Sequence, residues 1–308
     1  MSRRCLRVLA FALALAAAHI VQAETFSRGG VFLPLGHGAR AHGLGGAAVV
    51  STLDDAAVAW NPANLTWSPQ PAGLTFMHAE LLPGVDHGYD TASFGRAAGP
   101  RLGSGDEVRR PTRYGYGLLL THLGLDFDTS SWSENAMTLA GAVALENFAS
   151  VGAGVKLLRV TNDFTDGDGR GVGLDLAFSA LVTDRLTAAL VLRDAWTRVR
   201  FDTRTWQTQP RTLDAGIALR VRSAWLVEVD VRSGTHLQST AAGLEWNAVR
   251  DLLWLRGGWT SLAAGVGRSY PSAGAGLRHE RFGLDYGVSF DDAGGLDTGQ
   301  RVSLHVAF

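Results

Sequence analysis

The sequence predicts an all-β fold: a single 14-stranded antiparallel transmembrane β-barrel with an N-terminal hatch segment containing a short helix. Three observations predict it. From residue 72 onward, apolar and polar letters alternate with period two in segments of about ten residues, the pattern of strands with one apolar face. The connections between these segments alternate between tight turns and longer loops, as in outer-membrane barrels. The last segment alternates through Val302, Leu304, Val306 and Phe308 and ends on that aromatic.

Composition agrees. Of 308 residues, 46% are apolar and 38 are Gly, while only 19% are charged. Mean hydropathy is +0.06, too low for a bundle of membrane helices, each of which needs about 20 consecutive apolar residues. Abundant Val, Leu, Phe and Trp exclude disorder. The net charge of -1 excludes a nucleic-acid footprint, which needs a basic face. The single cysteine, Cys5, supports no disulfide, zinc or thiol chemistry.

Residues 1–23 read as a signal peptide. Arg3, Arg4 and Arg7 precede an apolar stretch at 9–18, and Val21-Gln22-Ala23 places small residues at a cleavage site. The apolar stretch is too short to span a bilayer as a helix. The expected mature chain begins at Glu24, with a hatch or plug segment over 24–71 and the barrel over 72–308.

Fourteen alternating segments follow: 72–80, 88–98, 113–122, 135–146, 149–160, 170–182, 184–194, 211–221, 224–232, 239–248, 251–261, 272–280, 282–291 and 299–308. Tight turns are expected at 147–148, 183–184, 222–223, 249–250 and 280–281, and longer loops at 123–134, 161–169, 195–210 and 262–271. The long connection at 99–112 breaks this alternation. A soluble sandwich also fits period two, but fourteen such strands would need a very large dry core. Closure removes sheet edges, which a bilayer requires because it offers no water to unpaired backbone groups. Trp225, Trp246, Phe282 and Phe308 near the tight turns, with Trp259 and Phe290 near the loops, suit interfacial girdles.

Residues 36–65 differ from the rest. Gly43-Leu44-Gly45-Gly46-Ala47 is not a nucleotide fingerprint, since no strand precedes it in a βαβ unit. Its small residues suit close backbone packing inside a narrow lumen. Asp54 and Asp55 are placed to cap a short helix running to Trp60, and Asn61-Pro62 should stop it, because a residue before Pro avoids the α region.

Here the chain resembles a family. Gly-Ala-Arg-Ala at 38–41, Gly-Leu-Gly-Gly-Ala at 43–47, Asp54-Asp55-Ala56 and Trp60-Asn61-Pro62-Ala63 look like the N-terminal signature of PorV/PorQ-type outer-membrane proteins. These are compact relatives of FadL-type hydrophobic-compound transporters. The likeness continues through Gly152-x-Gly154-x-Lys156, Asp175, Gly243-Leu244-Glu245-Trp246, Leu255-Arg256-Gly257-Gly258, Gly274-x-Gly276-Leu277 and Asp285-Tyr286. It departs at Asn64, where the family usually has Gly. The resemblance implies a fourteen-stranded barrel with a hatch. It also implies one of two roles: passage of hydrophobic or amphipathic small molecules, or reception of secreted proteins as an accessory of a type IX-like secretion system. Phe308, with Val302, Leu304 and Val306, resembles the signal read by the bacterial barrel-assembly machinery. Outer-membrane lipid, that machinery, and small molecules or secretion proteins are the expected partners.

Inward parity gathers Lys156, Asp175, Arg193, Asp214, Arg220, Glu228, Asp230, Glu245, Arg256, Arg278, Asp285 and Arg301. Opposite charges on neighbouring strands can neutralise one another in a lumen, where an unpaired charge is costly. They read either as a salt-bridge network joining hatch to wall or as a polar constriction on a transport route. Arg40 is a candidate partner for Asp285 or Glu245. Trp254, inward beside Arg256, reads as lumen packing or as a ligand-stacking ring. The candidate ligand or lumen residues are therefore Arg40, Asp54, Asp55, Trp60, Asn61, Pro62, Lys156, Asp175, Glu245, Trp254, Arg256 and Asp285. The loop 163–169 has calcium-like oxygen spacing but lacks the Glu that an EF-hand carries at its twelfth position, here Leu174. His37 and His42 do not have helical metal-pair spacing. No Ser/His/Asp set is brought together by parity. No enzyme, metal or cofactor is expected.

Overall fold

The computed structural model describes residues 35–81, 86–103, 110–127, 130–163, 167–222, 224–234, 238–263, 267–291 and 299–308. The predicted signal peptide and residues 24–34 lie outside them. The architecture is a closed 14-stranded antiparallel barrel with one extra strand. Its strands are β1 (Ala72–Glu80), β2 (Asp86–Arg101), β3 (Thr112–Phe127), β4 (Ser130–Glu146), β5 (Ala149–Asn162), β6 (Gly169–Leu181) and β7 (Leu186–Phe201), followed by β8 (Trp206–Thr208) and β9 (Thr212–Val221). The remainder are β10 (Trp225–Gly234), β11 (Gln238–Val249), β12 (Leu253–Leu262), β13 (Arg268–His279), β14 (Phe282–Ser289) and β15 (Gln300–Ala307). Strands pair in chain order, β7 pairs with β9, and β1 pairs with β15, so the ring closes. The short β8 lies outside the ring and pairs only with the far end of β7.

The period-two pattern sets which side faces out. Leu120, Leu139, Val155, Leu176, Ile217, Val229, Leu255, Leu284 and Leu304 are exposed on the outer face. Trp225 and Trp246, directly opposed across β10 and β11, stack with ring centroids 5.2 Å apart near the short-turn rim.

Strand ends depart from the sequence expectation. The loop expected at 123–134 is mostly strand, since β3 runs to Phe127 and β4 begins at Ser130. Much of 195–210 is strand as well, in the extension of β7 and in β8. Backbone pairing carries these hairpins beyond the apolar band, where outward letters such as Asp126 and Ser131 no longer alternate in hydropathy. The long connection expected at 99–112 lies partly outside the described residues, at 104–109. Arg101 donates to the carbonyls of Ser68, Pro69 and Arg110 and ties the start of β1 to the rim.

Inside the ring, residues 35–68 cross the lumen as two short helices, α1 (Ala39–Gly43) and α2 (Ala57–Trp60), and a 3-10 helix over Pro62–Trp67. Almost every residue of this segment is buried. Gly43 shows why its small letters are needed: a Cβ there would stand 2.9 Å from the Gly274 Cα of β13. Gly45 has φ +67°, and a Cβ on it would meet the Trp259 backbone N at 2.7 Å.

Candidate functional site: the lumen and its N-terminal segment

The segment is fixed by polar contacts with the wall. On β10, Asp230 accepts the N–H groups of Ala48 and Val49 at 2.8 and 2.9 Å, and Glu228 accepts that of Val50 at 2.7 Å. These carboxylates therefore bind backbone, a role that a parity list of charges does not reveal. On β7, Arg193 donates to the carbonyls of Ala59 and Trp60 at 2.7 and 2.8 Å while holding Asp214 at 2.6 Å. Those carbonyls end α2 and have no intrahelical partner.

Asp54 and Asp55 do not cap α2 as predicted. The N-cap position is Ala56, with no side-chain cap. Asp54 instead accepts the N–H of Ala56 at 3.1 Å in a local turn. Asp55 is drawn away to the wall, where it accepts from Ser93 of β2 and lies 3.2 Å from His305 of β15. Burial, followed by the charge of Asp55, raises the pKa of Asp54. Burial opposes ionisation of Asp55 too, but the nearby His305 imidazole and the hydrogen bond from Ser93 hold its pKa below the ordinary carboxylate value.

Asn61 is extended, stops α2, and caps the 3-10 helix by accepting from Ala63 N, with Pro62 at the first helical position. Its amide donates to Val49 O and Ser179 Oγ, both at 2.9 Å. Asn64, the departure from the resembled signature, spreads its amide over the carbonyls of Val49, Val50 and Thr52 and accepts from Ser179 at 2.6 Å. Trp60 donates from Nε1 to His37 O at 2.7 Å, and the Arg193 guanidinium lies 6.0 Å from its ring centroid.

The remaining candidates fall into two charge clusters. In the first, Arg40 pairs with Glu245 at 2.9 Å rather than with Asp285. Glu245 also holds Arg256 at 2.7 Å, Arg256 holds Asp285 at 2.7 Å, and Asp285 holds Arg278 at 2.6 Å. Trp254 joins this chain through Arg278, whose guanidinium sits 5.8 Å from its ring. In the second, Lys156 bridges Asp175 at 2.8 Å and Asp194 at 2.5 Å. Sequence reading missed Asp194, because plain alternation after Arg193 turns it outward. A bulge between β6 and β7, with Asp194 at φ 50°, turns it inward.

The structure does bring a Ser, a His and an Asp together, which parity did not foresee. His37 contacts Thr91 at 2.5 Å and Ser93 at 2.7 Å. The order is wrong for nucleophilic catalysis: the Ser93 hydroxyl donates to Asp55, whereas a triad acid orients the imidazole. Among the described residues, no group of three or more His, Cys, Asp or Glu could hold a metal ion. The calcium-like loop lies partly outside the described residues, and its Asp163 accepts from Ser131.

The inward face is not polar throughout. Toward the long loops, β1 to β5 and β7 present Met77, Tyr89, Leu123, Ala136, Leu158, Val160, Val199 and Phe201, with Leu81 just past β1, to one buried apolar cluster. Leu35 of the segment belongs to this cluster and also borders a cavity of about 270 Å³ on the long-loop side of the segment. Val49, Trp60, Leu262 and Tyr270 line that cavity, with Asp214, Arg232 and Arg301 at its polar edge.

No protein-family model matches the chain, and no curated protein matches it by sequence. Solved structures match by fold. The monoaromatic hydrocarbon channel CymD superposes with TM-score 0.67 at 12% identity, over 89% of this chain and 98% of that one. The toluene transporter TbuX of Ralstonia pickettii gives 0.65 at 12%, over 90% and 100%. A FadL homologue from Pseudomonas aeruginosa gives 0.61 at 11%, over 92% and 97%. At these identities, what the chain shares with these channels is their barrel fold.

Proposed function

We propose that this chain is a non-enzymatic channel of the bacterial outer membrane that passes hydrophobic or amphipathic small molecules, with residues 35–68 acting as its hatch. The apolar lumen wall of β1 to β5 and β7, continuous through Leu35 with the cavity over the segment, is the observation that carries this reading. A route for polar solutes would not be lined by Leu, Val and Phe, because desolvating them there costs free energy without return. The barrel-shaped neighbours described as a monoaromatic hydrocarbon channel and a toluene transporter support the same cargo class. In this reading the leader at 1–23 directs export, the strand ending at Phe308 engages the barrel-assembly machinery, and lipid covers the apolar outer face. The chain from Arg40 to Arg278 then serves as a latch between hatch and wall. No observation favours the secretion-accessory role.

Uptake of a labelled long-chain fatty acid and a labelled monoaromatic by proteoliposomes tests the proposal. Entry above that of empty liposomes is expected for at least one class. No uptake across a panel spanning both would overturn it.

A further inference from the structure

The outer wall carries a charge cluster that a lipid-covered channel does not require. Near the long-loop ends of three consecutive strands, Arg159 of β5, Arg170 of β6, and Arg198 and Arg200 of β7 all face outward and are exposed. Arg159 is directly opposite Arg170, and Arg170 is directly opposite Arg200. Directly opposed residues have Cβ atoms about 4.5–5.5 Å apart, and like charges there are destabilising. Among the described residues, no carboxylate pairs with any of the four, although Asp168 and Asp202 are close in sequence.

Two of the guanidinium groups rest on rings. Arg198 lies 5.9 Å from the Trp196 centroid, and Arg200 lies 5.7 Å from that of Trp206, on the extra strand β8. Such stacking holds the side chains against the wall and leaves their N–H forks free. One step toward the short turns, the outer face becomes apolar at Leu157 and Val172. The cluster thus sits where acyl chains would give way to headgroups.

We propose that these four arginines bind the phosphorylated headgroup of an outer-leaflet lipid. Guanidinium forks match phosphate oxygens bidentately, and a dianionic headgroup would offset the repulsion along the row. A lipid also accounts for the apolar floor beneath the charges, which an acidic protein or a free anion would not use. The choice of leaflet rests on the membrane reading above, with the long loops facing outward.

The test uses the full chain, folded in neutral detergent and stripped of lipid, with binding followed by native mass spectrometry. Diphosphoryl lipid A is expected to bind, and its dephosphorylated form to bind at least about tenfold more weakly. The R159Q/R170Q/R200Q variant should weaken lipid A binding about a hundredfold. The lysine counterpart R159K/R170K/R200K should retain part of the binding, and R250Q/R281Q, exposed at the short-turn rim, should retain all of it. Equal binding of the dephosphorylated lipid, an unaffected glutamine variant, or equal competition by inorganic phosphate or poly-glutamate would overturn the site. Insertion into phosphatidylcholine vesicles is scored separately. Failure to insert would sink the membrane reading, whereas normal insertion without phosphate dependence would sink only the lipid site.

Discussion

Arg193 of the barrel wall and Trp60 of the lumenal segment are joined twice, by a hydrogen bond from the guanidinium to the Trp60 carbonyl at 2.8 Å and by the same guanidinium lying against the Trp60 ring. Arg193→Met would strand the carbonyls of Ala59 and Trp60 while leaving Asp214 its second partner, Arg232. A cost of about 2–4 kcal/mol is expected, typical of unsatisfied buried groups. Protease cleavage within the segment of the folded barrel should rise accordingly, and unchanged protection would refute the anchoring role.

Glu245 serves two arginines, so a charge swap with Arg40 should not restore stability. Arg40→Glu/Glu245→Arg would place the new cation beside Arg256, which Glu245 holds at 2.7 Å. Each single reversal and the swap should all destabilise, by about 3 kcal/mol or more, while Glu245→Gln should be milder. Thermal unfolding of the four variants decides this. A swap that matched the wild type would show that Arg256 does not depend on Glu245.

Acid should loosen the segment. Burial holds His37 neutral, with its pKa lowered from 6.5 to about 4 against the pull of Asp55 and with the help of Arg301. Burial, reinforced by Arg301, lowers His42 to about 3 despite its hydrogen bond to Gly299. Both groups bind fewer protons folded than unfolded. Their contribution is therefore complete above pH 6.5 and is lost as pH falls through the folded values. Each imidazole adds a slope of about 1.4 kcal/mol per pH unit in that window. Hydrogen exchange of segment amides between pH 7 and pH 4 measures it, and His42→Asn should reduce the slope by about half. A flat profile would contradict burial of the two rings.

The apolar wall makes opposite predictions at neighbouring positions. Val160→Arg should cut hydrophobic uptake about tenfold or more by placing a charge in the lumen, whereas Phe201→Ala should leave uptake intact or raise it. Equal uptake by both variants, with both barrels folded, would exclude this face as the route.

Much of this architecture was legible in the alternation of single strands. Trp225, Val227, Val229 and Val231 face out and Leu226, Glu228 and Asp230 face in, as period two requires. The strand ends at 123–127 and 130–134, expected as loop, were not legible, because outward letters beyond the apolar band carry no hydropathy contrast. The apolar stretch of the lumen was hidden for a related reason. Lys156 and Val160 share one inward face of β5, and polarity changes along that face without any change of period. Charge lists also could not foresee that Glu228 and Asp230 receive backbone N–H groups, since the donors come from a segment 178 to 182 positions away. Asp55 was misassigned because helix-cap spacing is local, while Ser93 and His305 compete for its oxygens from the wall.

The bulge between β6 and β7 opposes the two-residue step from Leu174 to Leu176 with the four-residue step from Trp196 to Leu192. Two extra residues, being an even number, restore every later side chain of β7 to its original face. The strand has thereby lengthened without inverting its outer, apolar side. A pair of residues inserted after Ala195, clear of Arg193 and Asp194, should consequently keep the outward face of β7, whereas a single inserted residue should turn every later side chain to the opposite face, so this point of the barrel wall can gain length only in even steps.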